Sequence, residues 1–578
     1  MTVVGFSYNG RSMKAQEGIT VAEALRANGI RLGHRSMRLR AWRDEYHPLK
    51  EVPSAWVSID GIANINAYRV MLKGGMHIRS QGKRSLLSYI GRYSGTGFYY
   101  RNFTRSEFAR NFFFERVKGV NDYGGPLDPE DAAQATMQEL SFSPSKELHT
   151  DVLIVGAGVS GLAALLSLNL PAGKSVVVVD ANSRDVTEGN FRQMLMDLSQ
   201  QELLPLRNCL PEIRSLTELL ASRNAVLLDG TTVFGAFNGG EFAAVQGYSR
   251  VVLLKPALTI LSHGCEEVKP VFRRNDLPGV VTSRSLLAMP EGLRARRKLP
   301  VLYLETPLSV NYLARVAEVA RPIMLFTGFH ADAEYSSALR SVFGIAKEDI
   351  EEAVPAGAAG VMNLETVSMR REDGSIITMA SDLLVVAGRL QPRCEIGALL
   401  SLPTRISSET HMPVPAVDEG MRCAGNIFAC GSLVFPFRIQ GIVSAVIAAN
   451  SISLSNGAQI RPDLEKMCRS LIRHSVSVQR LPSPPADGKS VICPCLDVTL
   501  GDVGRLYGEG YDTINRMRRF SGLFMGPCQG ARCYRNTYEA FTAVAGKEAD
   551  FATVRPPLVP VYLGALALTD VEFEEGEK

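Results

Sequence analysis

DVLIVGAGVSGLAALLSL, at residues 151–168, is the stretch that decides the fold. An apolar run, a glycine-rich turn and a second apolar run predict a buried strand, a tight turn and a helix. The glycines follow the G-x-G-x-x-G spacing, and VVVVDAN at 176–182 adds a second buried strand that ends in an acid. Strand, glycines, helix, strand and terminal acid together predict a dinucleotide-binding α/β domain.

Each residue of this motif has an expected part in holding a dinucleotide. Gly156 makes the tight turn, Gly158 lets the pyrophosphate approach the backbone, and Gly161 lets the helix pack on the strand. The start of the helix, which includes Ser160, offers free N–H groups to the phosphates. Asp180 is expected to accept hydrogen bonds from the adenosine ribose. The pattern does not decide between FAD and NAD, and a βαβ turn without a ligand is the alternative.

Later segments predict that the nucleotide machinery continues. LPVLYLETPLSVNYLARVAEVARPIMLFTG, at 299–328, predicts a second strand–helix–strand unit, but it has no second G-x-G-x-x-G. ASDLLVVAG at 380–388 and NIFACGSLVFP at 426–436 are short apolar strands that end in glycine. Gly431 is expected to meet a flavin pyrophosphate, although Ser432 stands where an acid is common.

Four cysteines near the C-terminus predict a metal centre. They form a C-x-C pair and a C-x4-C pair separated by 32 residues, within VICPCLDVT and MGPCQGARC, and are Cys493, Cys495, Cys528 and Cys533. Two thiolate pairs among short predicted helices favour a [2Fe-2S] cluster. Zinc is the rival, although its structural sites more often use C-x2-C pairs, and four unligated cysteines are the remaining alternative.

The first 95 residues predict a β-grasp domain, the scaffold of plant-type ferredoxins. Asn9-Gly10 signals a hairpin, TVAEALRANG a helix with Thr20 as its expected N-cap, and AWVSIDG and AYRVMLKGG later strands. The loop that carries cysteines in such ferredoxins corresponds here to RLGHRSMRLRAWRDEYHP, which has none. Its arginines are expected on a solvated face or against a partner's acids, with a flavin phosphate as the alternative.

Composition limits the remaining choices. The chain has 578 residues, 46% apolar and 21% charged, which is typical of a globular protein with several domains. A formal charge of +4 gives no argument for nucleic acid. We find no signal peptide and no apolar run of transmembrane length. None of the ten cysteines precedes Cys209, and six of them are scattered, which favours a reducing cytoplasm over a disulfide framework.

The predicted fold class is α/β, with a β-grasp domain, a two-dinucleotide-type Rossmann-like core and a small helical cysteine domain. The predicted divisions are a ferredoxin-like domain without cluster cysteines (1–95), an aromatic connector (96–148), an FAD/NAD(P)-binding domain with an inserted second nucleotide-type subdomain (149–455), a linker (456–488), a BFD-like [2Fe-2S] domain (489–545) and a tail (546–578).

The chain resembles the α subunits of heterotetrameric sarcosine oxidase, of dye-linked proline dehydrogenases and of the hydrogen cyanide synthase group. The resemblance rests on TGFYYRNF, VKPVFRRNDLPGVV, EGYDTINRMRRFSGLFMGPCQG and VRPPLVPVYLGALA. The C-terminal cysteines resemble those of the dehydrogenase relatives. Because the sequence ends at Lys578, soon after the last of these segments, the resemblance implies that the folate-binding domain of sarcosine oxidase is missing.

The resemblance implies an electron-transfer subunit of an oxidoreductase that acts on CH–NH donors, such as sarcosine, proline or a related amino acid. Electrons are then expected to pass between a flavin and the [2Fe-2S] cluster. The expected partner is a flavin-bearing β subunit of the amine-oxidase type, with small additional subunits and an FMN at a subunit interface as further expectations. The alternatives are a self-contained FAD-dependent NAD(P)H oxidoreductase and a non-catalytic assembly subunit. The sequence identifies no catalytic residue.

Overall fold

A computed structural model describes most of the chain. The described residues are 2–80, 143–458 and 487–569, with gaps at 31, 33, 37–41, 45–54, 238, 248, 290, 295–296, 362 and 550, together with Ser106, Phe108, 466–468 and Ser470. The predicted aromatic connector (96–148) and linker (456–488) lie largely outside these residues, and their limits stay predictions.

The N-terminal segment forms a β-grasp. Its elements are β1 (Val3–Tyr8), β2 (Arg11–Gln16), α1 (Val21–Ala27), β3 (His34–Arg35), β4 (Trp42–Asp44), β5 (Trp56–Ile59), β6 (Ile62–Asn66) and β7 (His77–Ser80). The mixed sheet runs in the order β2-β1-β7-β5-β6. The predicted hairpin is confirmed, because Asn9 and Gly10 both have positive φ, at 49° and 79°. Thr20 caps α1 in a capping box with Glu23, as its sequence predicts.

One predicted strand of this domain is wrong. AYRVMLKGG, at 67–75, forms turns, and the sheet uses the flanking strands β6 and β7 instead. Val70 and Leu72 are buried there without a strand ladder. Their alternating apolar pattern therefore reflects burial next to the start of α1 and not pairing within the sheet.

The next segment contains the predicted glycine turn in the parallel part of a mixed sheet. Its elements are β8 (Lys146–Val155), α2 (Val159–Ser167), β9 (Val176–Val179), α3 (Arg184–Leu198), α4 (Leu204–Arg207), α5 (Leu216–Ser222), β10 (Ala225–Leu228), β11 (Thr231–Ala236), β12 (Phe242–Gln246) and β13 (Arg250–Leu261). The sheet order is β10-β9-β8-β13-β12-β11, and β8 is parallel to both β9 and β13. Buried Val and Ile side chains of these strands pack against the apolar helix α2.

A second parallel sheet follows, as the segment at 299–328 predicts. The elements from here to the end of the insertion are β14 (Cys265–Glu267), β15 (Val280–Thr282), α6 (Ser283–Leu287), α7 (Glu291–Arg294), β16 (Pro300–Leu304), α8 (Val310–Val319), β17 (Met324–Thr327), α9 (Ala333–Phe343), β18 (Ile350–Glu352), β19 (Val354–Ala359), β20 (Thr366–Arg370), β21 (Ile376–Ala380), β22 (Leu383–Ala387) and β23 (Leu390–Pro392). The order β15-β22-β16-β17-β18 is parallel throughout, while β19, β20 and β21 form an antiparallel sheet.

The chain then returns to the first sheet. The elements are α10 (Glu395–Leu399), β24 (Thr404–Ile406), β25 (Pro413–Pro415), β26 (Arg422–Ala424), β27 (Ile427–Ala429) and α11 (Arg438–Ser455). β27 is parallel to β13, and α11 packs beside α2 in the same apolar core. This return follows the prediction from NIFACGSLVFP and brings Gly431 to the carboxyl end of the sheet.

The C-terminal segment is mainly helical, as predicted. Its elements are β28 (Val491–Cys493), β29 (Val498–Thr499), α12 (Leu500–Gly508), α13 (Ile514–Ser521), α14 (Tyr534–Ala545) and α15 (Leu563–Ala567). Thr499 caps α12 in a capping box with Asp502.

The chain folds into two compact units, each built from separate stretches of sequence. The first joins Met1–Gln138, Glu267–Gln391 and Val478–Ala552, and the second joins Glu139–Glu266, Pro392–Ser477 and Thr553–Lys578. The glycine turn therefore lies in the second unit, and the four cysteines lie in the first. Over the described residues, no helix combines the length and the apolar character that crossing a membrane requires.

Candidate functional site

The glycine turn between β8 and α2 is shaped by two glycines that the fold itself requires. Gly156 has a φ of 105°, and an added Cβ would lie 2.7 Å from the Ser262 carbonyl oxygen and 2.8 Å from the His263 Cα. A Cβ on Gly161 would lie 1.9 Å from the carbonyl oxygen of Gly156. Both positions exclude a side chain even before any ligand is considered.

Gly158 has a different environment. Among the described residues, no heavy atom outside its chain neighbours and its own helix lies within 4 Å of an added Cβ, and its φ of −71° suits any residue. The fold therefore does not require glycine at this position. The space in front of it adjoins the N-terminus of α2, where backbone N–H groups are available to an anion.

Ser160 and Gly431 meet across this turn. An added Cβ on Gly431 would lie 2.8 Å from the Ser160 Cβ, and the φ of Gly431 is 73°. The Gly431 N–H donates to the Ser444 hydroxyl at 3.0 Å. The residue that follows strand β27 is thus held against the first turn of α2, as expected for a backbone that approaches a pyrophosphate.

Asp180 supports the turn from the end of β9. It is 9% exposed, and its carboxylate accepts the N–H of Ala157 at 2.6 Å and the N–H of Asn182 at 2.8 Å. Each carboxylate oxygen has a second acceptor site, so a ribose hydroxyl could still donate to it. The structure therefore brings together all six predicted nucleotide-site residues, and their binding role stays a proposal.

His263 lies beside the turn and is neutral at pH 7. Its Nε2 lies 2.6 Å from the carbonyl oxygen of Arg393, which can only accept, so Nε2 carries the hydrogen and Nδ1 is an acceptor. Burial lowers the pKa of His263 to about 4. The sequence pattern around this histidine indicates a local hydrogen-bonding residue, and the contact with Arg393 agrees with that interpretation.

The four cysteines of the first unit lie together as two pairs. Cys493 ends β28, Cys533 precedes α14, and each of the four residues is at most 9% exposed. The Sγ atoms of Cys495 and Cys528 are 3.7 Å apart, and the Cys533 thiol hydrogen-bonds with that of Cys493. Each pair thus joins one cysteine of C-x-C to one of C-x4-C.

The thiols differ in how readily they ionise. The hydrogen bond with Cys495 and the nearby charge of Arg532 lower the pKa of Cys528 to about 7, and the same hydrogen bond raises the pKa of Cys495 well above its usual value. Because the thiolate is the form that binds metal, Cys528 is the member of this pair that is ready to become a ligand first.

A thiolate-bound metal group fits this arrangement. Two sulfurs that share one tetrahedral metal at a bond length of about 2.3 Å lie about 3.8 Å apart, close to the Cys495–Cys528 separation. Over the residues described, no set of three His, Cys, Asp or Glu side chains is already arranged around a single metal ion. Gly526 packs directly against Cys495, because an added Cβ on this glycine would lie 2.8 Å from the Cys495 Cβ.

Two amides from elsewhere in the unit fix the backbone of the cysteine segments. The side chain of Asn275 accepts from Val491 N–H at 3.0 Å and donates to Val491 O at 2.9 Å. Gln391 donates to the carbonyls of Gly530 and Ala531 at 3.2 and 3.0 Å. These contacts hold the strand before Cys493 and the loop between Cys528 and Cys533. The sequence prediction omitted Gln391, because no local pattern points to it.

A buried ion network anchors α14. Arg535 is 1% exposed, and it contacts Glu305 at 3.0 Å and Glu539 at 2.9 Å. Arg389 contacts Glu305 at 2.8 Å and also pairs with Glu539. Burial opposes ionisation of Glu539, but the charges of Arg389 and Arg535 outweigh it and hold its pKa at about 2. Glu305 directly follows β16, so the network joins α14 to the second parallel sheet.

Arg43 corrects the expectation for the arginine-rich loop. It is 4% exposed and forms ion pairs with Asp276 and Asp497, and all three residues belong to the first unit. This arginine is therefore neither on a solvated face nor reserved for a partner's acids. The sequence signal for this ion pair was Asp497 in VICPCLDVT, because an acid within an apolar segment needs a charged partner when it is buried.

The fold and its sites define a class: an α/β oxidoreductase fold of the FAD/NAD(P)-binding type, with an N-terminal ferredoxin-like β-grasp. The L-proline dehydrogenase structure from P. horikoshii has this fold, with a TM-score of 0.60, 17% identity and coverage of 98% of this chain and 97% of that chain. Residues 1–83 match the family model described as 2Fe-2S iron-sulfur cluster binding domain. No cysteine precedes Cys209, so this match describes a fold and not cluster ligands.

Within this class, the chain is similar to sarcosine oxidase α subunits over most of its length. Residues 487–570 match the sarcosine oxidase A3 domain model. Sarcosine oxidase subunit alpha of Rhizobium meliloti (strain 1021) is 25% identical over 606 residues, which is 97% of this chain and 57% of the relative. Hydrogen cyanide synthase subunit HcnB of Pseudomonas protegens is 22% identical, with 73% of this chain and 98% of the relative covered.

The chain thus spans just over half the length of the sarcosine oxidase α subunits that it matches. The predicted resemblance and fold class are confirmed. The names of the relatives and the fold also support an oxidoreductase with a flavin or nucleotide cofactor, while the 2Fe-2S family model matches only the N-terminal domain. The names of the relatives describe subunits, which places those proteins in complexes of several chains.

Proposed function

We propose that this chain is the electron-transfer (α) subunit of a flavin-dependent oxidoreductase for an amine or amino acid, such as sarcosine or proline. The observation that carries the proposal is the buried group of four cysteines, with the Cys495 and Cys528 sulfurs 3.7 Å apart. Four soft sulfur ligands in two pairs suit a [2Fe-2S] cluster, which would supply one-electron transfer.

The residues of the chain have distinct tasks in this proposal. Cys493, Cys495, Cys528 and Cys533 hold the cluster, while Asn275 and Gln391 fix the backbone around them. Packing of the cysteines below 10% exposure excludes water from the centre, which favours electron transfer over loss of the metal.

At the glycine turn, we propose that FAD or NAD binds with its pyrophosphate in front of Gly158. The open space there and the N-terminus of α2 support this position. Gly156, Ser160, Gly161 and Gly431 shape the same surface, and Asp180 offers its remaining acceptor sites to a ribose.

The amine-oxidising chemistry belongs, in our proposal, to a flavin in a β subunit of the amine-oxidase type. Small additional subunits and an FMN at a subunit interface are parts of the same proposal. A reducing cytoplasm suits a centre that depends on thiolates. The relatives' subunit names support an assembly of several chains.

The self-contained NAD(P)H oxidoreductase is disfavoured by the second parallel sheet. Strand β16 is followed by Glu305, which is buried and paired with Arg389 and Arg535. A dinucleotide fingerprint would place a glycine and a phosphate near such a strand end. The strand end here instead carries an ion-paired glutamate and no second G-x-G-x-x-G, so this sheet is poorly suited to a nicotinamide dinucleotide.

The test is cofactor analysis of the full chain purified anaerobically with its partner. We expect iron and acid-labile sulfide in equal amounts and visible charge-transfer absorbance. Cys528→Ser should lower iron content and bleach these bands, while Cys209→Ser, outside the group and partly exposed, should leave both unchanged. Zinc without iron or sulfide in the wild-type protein would rule out the cluster, and a colourless complex would favour the assembly-subunit alternative.

A further inference from the structure

The ferredoxin-like domain has no cysteine, yet an arginine in its β3–β4 region pairs with an aspartate of the C-terminal cysteine domain. Arg43, on β4, lies in the segment that corresponds to the cysteine-bearing loop of plant-type ferredoxins. Its side chain is 4% exposed, and its two terminal nitrogens contact different carboxylates. Nη1 meets Asp276, and Nη2 meets Asp497.

Asp497 brings this charge close to the cysteines. It follows Cys495 by two residues, so their Cα atoms are at most about 7 Å apart. It is 1% exposed and has a φ of 56°, a left-handed conformation that Asp and Asn tolerate better than most residues. A buried carboxylate is thus held two residues from a proposed ligand, and the Arg43 guanidinium is paired with that carboxylate.

Asp276 connects the same arginine to the backbone support of the centre. The side chain of its neighbour Asn275 makes two hydrogen bonds to Val491, two residues before Cys493. Arg43 therefore lies where the β-grasp domain, the Asn275–Asp276 segment and the cysteine domain meet within one compact unit.

These charges act on a group that changes charge when it is reduced. A cluster with four thiolate ligands gains a negative charge on reduction, so a nearby cation favours the reduced form and a nearby anion disfavours it. Buried charges are weakly screened, so their effect reaches the centre. Loss of Arg43 would remove a cation from both acids, although Asp276 would keep Arg274 at 4.0 Å.

We propose that Arg43 sets the reduction potential of the cysteine-held centre, and that the β-grasp domain thereby serves a cluster held by another domain. This inference rests on the proposed function, because it takes the four cysteines as cluster ligands. Arg43 is a positioning and tuning residue in this role, and Asp497 is its counterpart of opposite sign.

The experiment measures the midpoint potential of the cluster in the full-chain complex, by redox titration followed with electron paramagnetic resonance. Arg43→Gln should lower the ratio of reduced to oxidised cluster about tenfold at the wild-type midpoint, a shift of about 59 mV for a one-electron couple. Asp497→Asn should shift the ratio in the opposite direction. The double variant should lie between the two single variants.

Arg26→Gln is the matched control, since this arginine belongs to the same domain but bonds with Tyr68. Its potential should equal that of the wild type. Iron and sulfide are measured in every variant. Opposite shifts distinguish electrostatic tuning from a merely structural role, which would lower cluster content without moving the potentials in opposite directions.

Two results overturn the inference in different ways. A wild-type cluster whose potential does not respond to either substitution, or moves in one direction with both, rejects the role of Arg43 and leaves the proposed function standing. A wild-type complex without iron or sulfide rejects both. If Arg43→Gln fails to fold, the midpoint potential of Asp497→Asn tests the inference instead. An upward shift of that potential supports the inference, and an unchanged potential overturns it.

Discussion

At the scale of single residues, the glycine turn separates what the fold needs from what a ligand needs. Gly156 and Gly161 lack room for a Cβ because protein atoms occupy the space. Gly158 has room for a Cβ, so none of the described residues requires glycine at this position. The predicted nucleotide site can therefore be tested by comparing substitutions at Gly158 and Gly161.

Gly158→Val should abolish binding of the dinucleotide while the thermal midpoint stays within a few degrees of the wild type. The valine side chain would fill the space predicted for the pyrophosphate. Bound nucleotide is measured by chromatography after denaturation. Gly161→Ala is the contrasting variant, because its Cβ would clash with the Gly156 backbone and destabilise the protein itself. Nucleotide at wild-type stoichiometry in Gly158→Val would contradict this position of the site.

His263 should make the stability of the protein depend on pH. Its native pKa is about 4 because the ring is buried, while an unfolded histidine titrates near 6.5. Between these values the unfolded chain binds a proton that the native protein does not, so stability falls as pH falls from about 6.5 to 4. The loss is on the order of 3 kcal/mol and levels off below pH 4, where both states are protonated.

Thermal unfolding across this pH range checks the assignment. His263→Gln keeps a donor for the Arg393 carbonyl but has no proton to gain, so its midpoint should decline less steeply than that of the wild type. His149→Gln, at an exposed histidine, should follow the wild-type curve. Equal slopes for the wild type and His263→Gln would show that another group controls acid sensitivity.

At the scale of elements, α14 is fixed by charges rather than by apolar contacts alone. Arg535, in its first turn, reaches Glu305 after β16, the Leu390 carbonyl and Glu539. Because Cys533 directly precedes this helix, the same contacts control the position of a proposed cluster ligand.

Arg535→Met should destabilise the first unit by about 3–5 kcal/mol, because it leaves the buried carboxylate of Glu305 without one of its two cations. We also expect lower iron content, since α14 carries the end of the ligand loop. Differential scanning calorimetry and iron analysis of the full chain measure both effects. Arg516→Met removes an exposed pair with Asp512 and should change stability by less than about 1 kcal/mol. Similar losses in both variants would argue against the buried network.

The sequence predicts elements whose signals are local and misses contacts that are distant in the chain. The glycine turn, the capping residues Thr20 and Thr499 and the C-terminal helices all follow from patterns of a few residues. The Arg43–Asp497 pair spans 454 residues, and the Gln391–Gly530 hydrogen bond spans 139. No periodicity or motif encodes such pairs, because the folded topology alone brings their members together.

At the scale of the whole molecule, the two candidate sites offer different chemical groups to a cofactor. The glycine turn offers backbone groups and an acid, and the cysteine centre offers thiols surrounded by amides and ion pairs. The buried histidine beside the turn is neutral and hydrogen-bonded to a carbonyl, so it is poorly placed as a base for an amine substrate. This supports a subunit that transfers electrons and relies on a partner for substrate oxidation.

The chain alone should therefore not oxidise sarcosine or proline at a measurable rate, whereas the chain reconstituted with a flavin-bearing partner should. The physical reason is that an amine must meet both a flavin ring and a base of suitable pKa, and we assign both to the partner. Steady-state turnover with a dye acceptor measures the difference. The partner alone and the complex with Cys528→Ser separate substrate oxidation from electron transfer: the variant complex should reduce its flavin but pass electrons to the dye more slowly. Substantial turnover by the isolated chain would overturn the α-subunit proposal and restore the self-contained flavoenzyme.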